Sequence, residues 1–296
     1  MSEPPGAARF VKRGSDRGRE TGTVMGEPGI DYGRMLEVLD LEVELLADAT
    51  YRAPGDRVVT ACPSFTLSET ARHVGAIYRM LFTWLSDGVR PMEWRRTPKK
   101  GQPVVDYLRE GYASLRSRFA VHDPADPCVT WYPPQQHYGF WVRRMLHETT
   151  VHRCDAQITA GIDRDPVAQE IATDGVDEVL SVWFEHRLAE LGIRANKTAG
   201  VLVETGSRRW LARMSRQNIE VHEVEGQGER LGEDNGKVRY VVDAVVRGSP
   251  LEVYLWLWGR VPFGRGFVEV TGSAGEGTEH EDAVAQMWAL LRLATR

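Results

Sequence analysis

The sequence predicts an α-helical bundle followed by a smaller α+β domain. Over residues 30–195 apolar residues recur at spacings of three and four, which is typical of amphipathic helices that share a core. From residue 196 to 296 the apolar residues instead form short runs between Gly-rich segments, which is typical of strands joined by turns. Residues 1–29 have no apolar period and are rich in Gly, Pro, Glu and Arg, so we expect a disordered tail there.

Composition limits the class of protein. The chain has 296 residues, of which 42% are hydrophobic, enough for two domains of ordinary size. A net charge of -5 argues against a nucleic-acid binder. No apolar run approaches the roughly 20 residues that span a bilayer, and the N-terminus lacks the apolar segment of a signal peptide. Cys62, Cys128 and Cys154 are scattered and form no CxxC pair, which predicts a reduced, cytoplasmic protein. We expect a monomer or a homodimer.

Each of the four bundle helices has its own signal. The first helix is predicted from about Tyr32 to Ala49, and the second begins at Thr66, where Thr66 and Glu69 form a capping box. The third has a regular apolar pattern at Val105, Leu108, Tyr112, Leu115 and Phe119. The fourth is predicted from about Tyr138 to Thr159 and ends at Gly161. Four amphipathic helices of similar length predict an antiparallel bundle.

The elements after the bundle are less regular. Asp165 followed by Pro166 predicts a cap and a first helical position, so a fifth helix should run from there towards Leu191, with a possible break near Gly175. The predicted strands are Val201–Glu204, Trp210–Met214, Ile219–His222, Arg239–Ala244 and Phe267–Val270. The predicted helices of this domain are Pro250–Gly259 and Glu281–Leu293.

The fourth helix carries a carboxylate and an imidazole one turn apart. Glu148 and His152 are four residues apart, so both side chains lie on the same helix face. The run that starts at His147 resembles the HExxH motif of zinc proteases but has one residue too many. His147 and His152 diverge by about 140° around the helix, which excludes the protease interpretation. His147 is therefore predicted to pack in the core or to support a ligand from behind.

A third ligand has to come from another helix, and His73 is the candidate. It is the only other histidine that the apolar pattern places on the core face of a bundle helix. Two imidazoles and one carboxylate leave coordination positions open, which is typical of a catalytic metal site. Taken singly, His73 is more often a core histidine with satisfied hydrogen bonds, and Glu148 with His152 is as often a simple contact pair. The three together favour a metal site.

The residues around His152 indicate that any thiol chemistry needs an external thiol. Cys154 lies two positions past His152, about 200° around the helix, and should point away from the metal. Arg153 and Asp155 flank His152 and are candidates for supporting it, although an arginine at such a position is more often a solvated charge. The chain thus offers no thiolate of its own at the predicted site.

The fourth helix and the segment after it contain a recognisable signature. It consists of Trp141, Arg144, His147–Glu148, Val151–Arg153, Asp155–Ala156 and Thr173–Glu178. This signature resembles the mycothiol-dependent maleylpyruvate isomerase family, within the DinB-like superfamily of four-helix-bundle metalloproteins. The resemblance implies that His73, Glu148 and His152 bind a divalent metal, usually zinc. It also implies a C-terminal domain like that of sterol-carrier proteins, and Leu255–Arg260 is similar to the Leu/Trp-rich run of the family that ends in Gly-Arg.

The resemblance implies a mechanism based on mycothiol, the low-molecular-weight thiol of actinobacteria. The arginine-rich composition of the chain fits an actinobacterial source. A metal-bound thiol ionises, and the thiolate attacks an electrophile. In an isomerase the thiolate adds to a cis double bond, the bond rotates and elimination gives the trans product; in a thiol S-transferase it stays attached or displaces a leaving group. The sequence slightly favours S-transfer, because nothing in it singles out maleylpyruvate.

The family also uses an arginine of the C-terminal domain to anchor the substrate. Arg260 is the candidate catalytic residue for this role, with a surface charge at the end of a helix as an equal alternative. A different class of function stays open, a non-catalytic small-molecule or lipid-binding protein whose bundle is only structural. Metal content distinguishes that class from the enzyme.

Overall fold

The computed structural model describes residues 29–94, 97–224, 241–261, 268–272 and 279–295. Apart from Gly29, the predicted tail lies outside the described residues, as do parts of the predicted strands Arg239–Ala244 and Phe267–Val270. Of the helices described, none combines the length and the apolar character needed to cross a bilayer.

Four long helices form the N-terminal part of the molecule. They are α1 (Tyr32–Tyr51), α2 (Leu67–Asp87), α3 (Val104–Phe119) and α4 (Tyr138–Ala160). Helix α1 packs on α4 and α2 packs on α3, around one apolar core. The predicted capping box is present, because the Thr66 hydroxyl accepts the Glu69 N–H at 3.3 Å and the Glu69 carboxylate accepts the Thr66 N–H at 2.8 Å. The prediction of a helical bundle is confirmed.

Helix α4 is buried on nearly all sides. Eighteen of its 23 residues are buried, including several charged ones, because the bundle covers one face and the C-terminal domain another. Trp141 and Met145 belong to the bundle core, whereas Val151 and Cys154 belong to the core of the C-terminal domain. Charged side chains in such a position require partners, since an unpaired buried charge is strongly unfavourable.

The fifth helix differs from its prediction at both its start and its break. It consists of α5 (Gln169–Glu178), a π-helical segment (Val179–Arg187) and α6 (Leu188–Glu190). Asp165 does not cap it; its carboxylate accepts a hydrogen bond from Gln157 Nε2 at 2.5 Å, so Pro166 precedes the helix. The helix continues through Gly175 and changes to π geometry after Glu178, which periodicity does not reveal.

The C-terminal part is a five-stranded sheet with two helices. Its elements are β1 (Ala199–Thr205), β2 (Arg208–Met214), β3 (Ile219–Glu223), β4 (Ala244–Arg247), α7 (Pro250–Leu257), β5 (Glu269–Gly272) and α8 (Glu279–Ala294). The strand order is β3-β2-β1-β4-β5, and only β1 and β4 run parallel. Of the predicted strand Arg239–Ala244, the described residues 241–243 are not in a strand, and only Ala244 is, because β4 begins there. The α/β class of this part is confirmed, while the boundary at residues 195 and 196 stays a prediction.

Candidate metal centre

The structure brings His73, Glu148 and His152 together where α2 meets α4. Glu148 Oε1 lies 3.2 Å from His73 Nε2 and 3.3 Å from His152 Nε2. One ligand atom from each residue lies within 4.8 Å of the other two, and no other three His, Cys, Asp or Glu side chains of the described chain are grouped in this way. The side chains are 25%, 16% and 10% exposed, so the cluster is not sealed from solvent. We call these three residues the open cluster.

Aromatic side chains form a wall along one side of the open cluster. The Phe65 ring lies 5.1 Å from the His73 ring and 6.5 Å from the His152 ring, measured between ring centroids. The Trp94 ring lies 6.4 Å from that of His73. Apolar rings beside the ligands reduce the access of water and so strengthen the electrostatic interactions of a bound charge.

Arg144 donates a hydrogen bond to the second carboxylate oxygen of Glu148. Its Nη2 donates to Glu148 Oε2 at 3.1 Å, and its Nη1 donates to Glu178. The guanidinium also lies 5.3 Å and 5.5 Å from the ring centroids of Trp183 and Trp258, a cation–π arrangement that fixes its position. Burial alone would raise the pKa of Glu148, but His152, His73 and Arg144 together hold it well below the usual range. Glu148 is thus an ionised carboxylate with one oxygen directed at two imidazoles.

Asp155, one of the residues predicted to support a ligand, lies behind His152. Asp155 Oδ2 is 3.5 Å from His152 Nδ1, which is long for a hydrogen bond, and it accepts a hydrogen bond from Arg260 Nη2 at 2.8 Å. Burial would lower the pKa of His152, but Asp155 and Glu148 raise it to about 9. The Asp155 carboxylate is therefore placed to orient the His152 ring.

Arg260 lies beside the site and is not a surface charge. Its side chain is 11% exposed, and Nη1 donates to the Trp258 carbonyl at 2.8 Å. Its Nη2 also lies 3.3 Å from the sulfur of Cys62, a residue of the loop before α2. No local pattern indicates that Cys62 lies here, because its position depends on the path of the loop before α2. Burial, the largest effect, raises the pKa of the Cys62 thiol, so the group is not a ready thiolate.

Two further predictions for α4 have different outcomes. Cys154 packs in the C-terminal core, where burial raises its pKa to about 11, in agreement with a thiol that takes no part in the site. The interpretation of Arg153 as a solvated charge is wrong. Arg153 is fully buried, and its Nε and Nη2 donate to the Glu42 carboxylate at 2.6 Å and 2.8 Å. This ion pair links α4 to α1. Arg153 contacts none of the three candidate ligands.

His147 belongs to a second cluster of polar residues. We call this the closed cluster, and its members are Arg143, His147, Asp174, Asp177 and Tyr254. His147 is fully buried, with Nε2 2.7 Å from Asp174 Oδ2 and Nδ1 3.2 Å from the Tyr254 hydroxyl. Arg143 donates to Asp174 at 2.9 Å and to Asp177 at 2.8 Å. Of the two predicted roles, His147 has the packing role.

Comparison with known proteins agrees with this architecture. The family model described as "Mycothiol maleylpyruvate isomerase N-terminal domain" matches residues 33–157, and the one described as "MDMPI C-terminal domain" matches residues 170–278. A solved structure described as the crystal structure of the mycothiol-dependent maleylpyruvate isomerase has a similar fold, with a TM-score of 0.52 and 14% sequence identity. The similarity covers 84% of this chain and 96% of that chain. No curated protein matches the sequence.

Proposed function

The chain belongs to the mycothiol maleylpyruvate isomerase family, and from this premise we propose that it is a metal-dependent enzyme with mycothiol as its thiol co-substrate. The observation that carries the proposal is the convergence of three ligand atoms from two helices within 4.8 Å of one another. These atoms belong to His73, Glu148 and His152, whose side chains are all partly exposed.

The open cluster fits a divalent ion such as zinc. Two imidazole nitrogens and one carboxylate oxygen are a donor set that zinc uses in catalytic sites, with bonds of about 2.0–2.2 Å. In a tetrahedral arrangement such bonds place neighbouring donors roughly 3.4 Å apart, close to the observed separations of 3.2 Å and 3.3 Å. A bound ion of this kind would supply the acidity that converts an incoming thiol to a thiolate at neutral pH.

The protein's own residues would prepare the site for that chemistry. Arg144 holds one oxygen of Glu148, so only the other oxygen faces the imidazoles. Asp155 orients His152 from behind, and Phe65 and Trp94 keep one side of the site apolar. We expect these contacts to fix the geometry in advance, which is a major source of catalytic power.

The thiolate of mycothiol would then attack an electrophilic carbon. In isomerisation it adds to a cis double bond, the resulting single bond rotates, and expulsion of the thiolate regenerates mycothiol with a trans product. In S-transfer the carbon–sulfur bond persists. Because the chain is a member of an isomerase family, isomerisation of a maleylpyruvate-type substrate now takes precedence over the S-transfer that the sequence alone favoured.

The experiment measures metal content and thiol chemistry in the same preparation. Elemental analysis of the purified protein should give one divalent ion per chain. NMR should detect a trans product, or mass spectrometry a thioether, only when mycothiol is present. A chelator should abolish turnover and added zinc should restore it. A folded protein that contains no metal and is indifferent to the chelator would instead support the alternative of a non-catalytic binding protein.

A further inference from the structure

A cavity of about 260 Å³ lies where helices α1 and α4 begin. It is larger than the roughly 150 Å³ of an engineered protein cavity that binds benzene, so a substituted aromatic ring fits within it. Most of its wall is apolar, with the rings of Tyr32 and Phe140 and the side chains of Ile30 and Met35. An apolar wall that carries a few polar groups is typical of a site for a small molecule.

This cavity is separate from the open cluster. Arg143, the lining residue nearest along α4 to a candidate metal ligand, precedes Glu148 by five positions. Five positions correspond to about 140° around the helix and about 7.5 Å along its axis, so the two side chains lie on different faces. The described lining residues include neither a candidate ligand nor the residues that hold the ligands, Arg144 and Asp155. A molecule in the cavity therefore does not contact the candidate metal centre.

Two polar side chains of the wall have groups without a protein partner. Arg143 is only 3% exposed; its Nε and Nη2 donate to Asp174 and Asp177, but its Nη1 has no hydrogen-bond partner among the described residues. Gln135 Oε1 is buried and likewise has no partner in the described part of the chain. Buried polar groups are nearly always hydrogen-bonded, to protein, water or ligand. Because both residues line the cavity, a bound molecule would supply the missing partners.

His137, the N-cap residue of α4, supplies a third polar group. Its Nδ1 accepts the Phe140 N–H at 3.3 Å, so the proton of the ring is on Nε2. Within the described ranges of the chain Nε2 has no hydrogen-bond partner, and it is a donor. The wall thus offers donors from His137 and Arg143 and an acceptor from Gln135.

The charges around the cavity favour a neutral ligand. Arg143 already bonds the carboxylates of Asp174 and Asp177, which balance its charge. The N-termini of α1 and α4 attract an anion only weakly, whereas the removal of an anion from water is far more costly. The described lining residues include no carboxylate, so a cation would have no counter-ion in the wall. A neutral group with one carbonyl oxygen and one N–H matches both kinds of polar group.

We propose that this cavity is a second binding site, which takes a neutral aromatic molecule that carries a carboxamide or an equivalent group. The aromatic ring of the ligand packs against Tyr32 and Phe140. Its carbonyl oxygen accepts a hydrogen bond from Arg143 or His137, and its N–H donates to Gln135 Oε1. The site does not depend on the proposed function, because it requires neither the metal nor the thiol.

Titration of the full chain with benzamide tests the proposal. Calorimetry and ligand-observed NMR should show one benzamide bound per chain, with a dissociation constant below about 1 mM, as expected for so small a ligand. Benzoate has the same shape but a charge, and toluene lacks the polar group. Both should bind at least about tenfold more weakly, because benzoate loses its hydration and toluene leaves the polar groups unpaired. Zinc-loaded and chelator-treated protein should bind benzamide equally.

Two variants test whether the molecule occupies this cavity. Gln135→Leu removes the acceptor at similar size, so it should weaken benzamide binding by about five- to tenfold, the effect of one lost hydrogen bond. Ala125→Trp adds an indole at an exposed position of the cavity wall and should reduce binding below detection, while circular dichroism shows a folded protein. Gln217→Leu makes the first change at an exposed glutamine outside the cavity, and it should leave the affinity unchanged.

The same titrations define the results that would overturn the proposal. These are an absence of benzamide binding, equal affinity in the unaltered protein and in both cavity variants, or tighter binding of benzoate than of benzamide. Loss of benzamide binding on removal of zinc would assign the molecule to the open cluster instead. Since no measurement involves a thiol or turnover, failure of this proposal leaves the proposed function intact, and an inactive protein that binds benzamide as described would still have this second site.

Discussion

The open and closed clusters use the same kinds of side chain on the same helix, and yet only one of them resembles a metal site. In the closed cluster both nitrogens of His147 have protein partners, and His147 and Asp174 are at most 4% exposed. In the open cluster the ring nitrogens of His73 and His152 face one carboxylate oxygen, and all three side chains are partly exposed. The availability of lone pairs to a ligand, more than the residue type, separates a candidate metal site from a structural ion pair.

The closed cluster joins the bundle to the C-terminal domain. Asp177 accepts hydrogen bonds from Arg208 and from the Trp210 indole, both on β2, while Tyr254 on α7 reaches His147 on α4. Gly175 permits this contact, because a Cβ there would come within 2.4 Å of the Tyr254 ring. The second half of the family signature thus has a packing explanation, and through the pairing of Glu178 with Arg144 it also supports the open cluster.

The largest expected effect is on the stability of the closed cluster. Asp174→Ala leaves Arg143 and His147 buried without their shared carboxylate, which should lower the free energy of unfolding by about 3–5 kcal/mol. Denaturant titration measures this, and Asp163→Ala at an exposed aspartate is the matched control. If the folded variant keeps full stability but loses its metal, the division between a structural and a ligand-binding cluster is wrong.

A change in the open cluster should have the opposite profile. His73→Ala removes one candidate ligand from a partly exposed position. Metal affinity should therefore fall by at least about 100-fold, while stability without metal changes by less than about 1 kcal/mol. Elemental analysis after dialysis and denaturant titration with a chelator measure the two quantities. The same mutation at His222, a half-buried histidine of β3, is the control. Full metal stoichiometry in His73→Ala would remove this residue from the site.

The sequence was informative wherever the signal is local or periodic. It predicted the four bundle helices, the capping box at Thr66, and the separation of His147 from His152 around one helix. Even His73 followed from the apolar face of its own helix. These inferences need only the geometry of a single helix, which is the same in every protein.

The contacts that periodicity missed join residues far apart in sequence. Arg153 pairs with Glu42, 111 positions away, and Arg260 contacts Cys62, 198 positions away. No spacing rule connects such residues, and an arginine in the sequence looks the same whether it is solvated or buried. Whether such an arginine is buried depends on how the other helices and the C-terminal domain cover α4, which no local pattern shows.

A smaller effect should follow from loosening the link between the clusters. Arg144→Lys keeps the positive charge near Glu148 and Glu178 but cannot bond both carboxylates in a fixed plane. Metal affinity should therefore fall about tenfold, as for other residues that orient a ligand. A competition titration with a chromophoric chelator measures this, with Arg109→Lys at the exposed Glu44 ion pair as control. Unchanged metal affinity would show that the hydrogen bond from Arg144 is not needed to orient Glu148.

The smallest effect concerns Glu185, which provides a contrast with Glu148. Both carboxylates are partly buried, but Glu148 has cationic partners, whereas burial without a cationic partner raises the pKa of Glu185 to about 7. The folded state therefore favours neutral Glu185, and this contribution is complete below about pH 4.5 and disappears as the pH rises through 7. Glu185→Gln should match the unaltered protein in stability near pH 4.5 and exceed it at pH 8, as measured by denaturant titration, whereas exposed Glu190→Gln should keep the original pH dependence. If stability depends on pH in the same way in Glu185→Gln and in the unaltered protein, burial does not raise the pKa of Glu185, and its contrast with Glu148 fails.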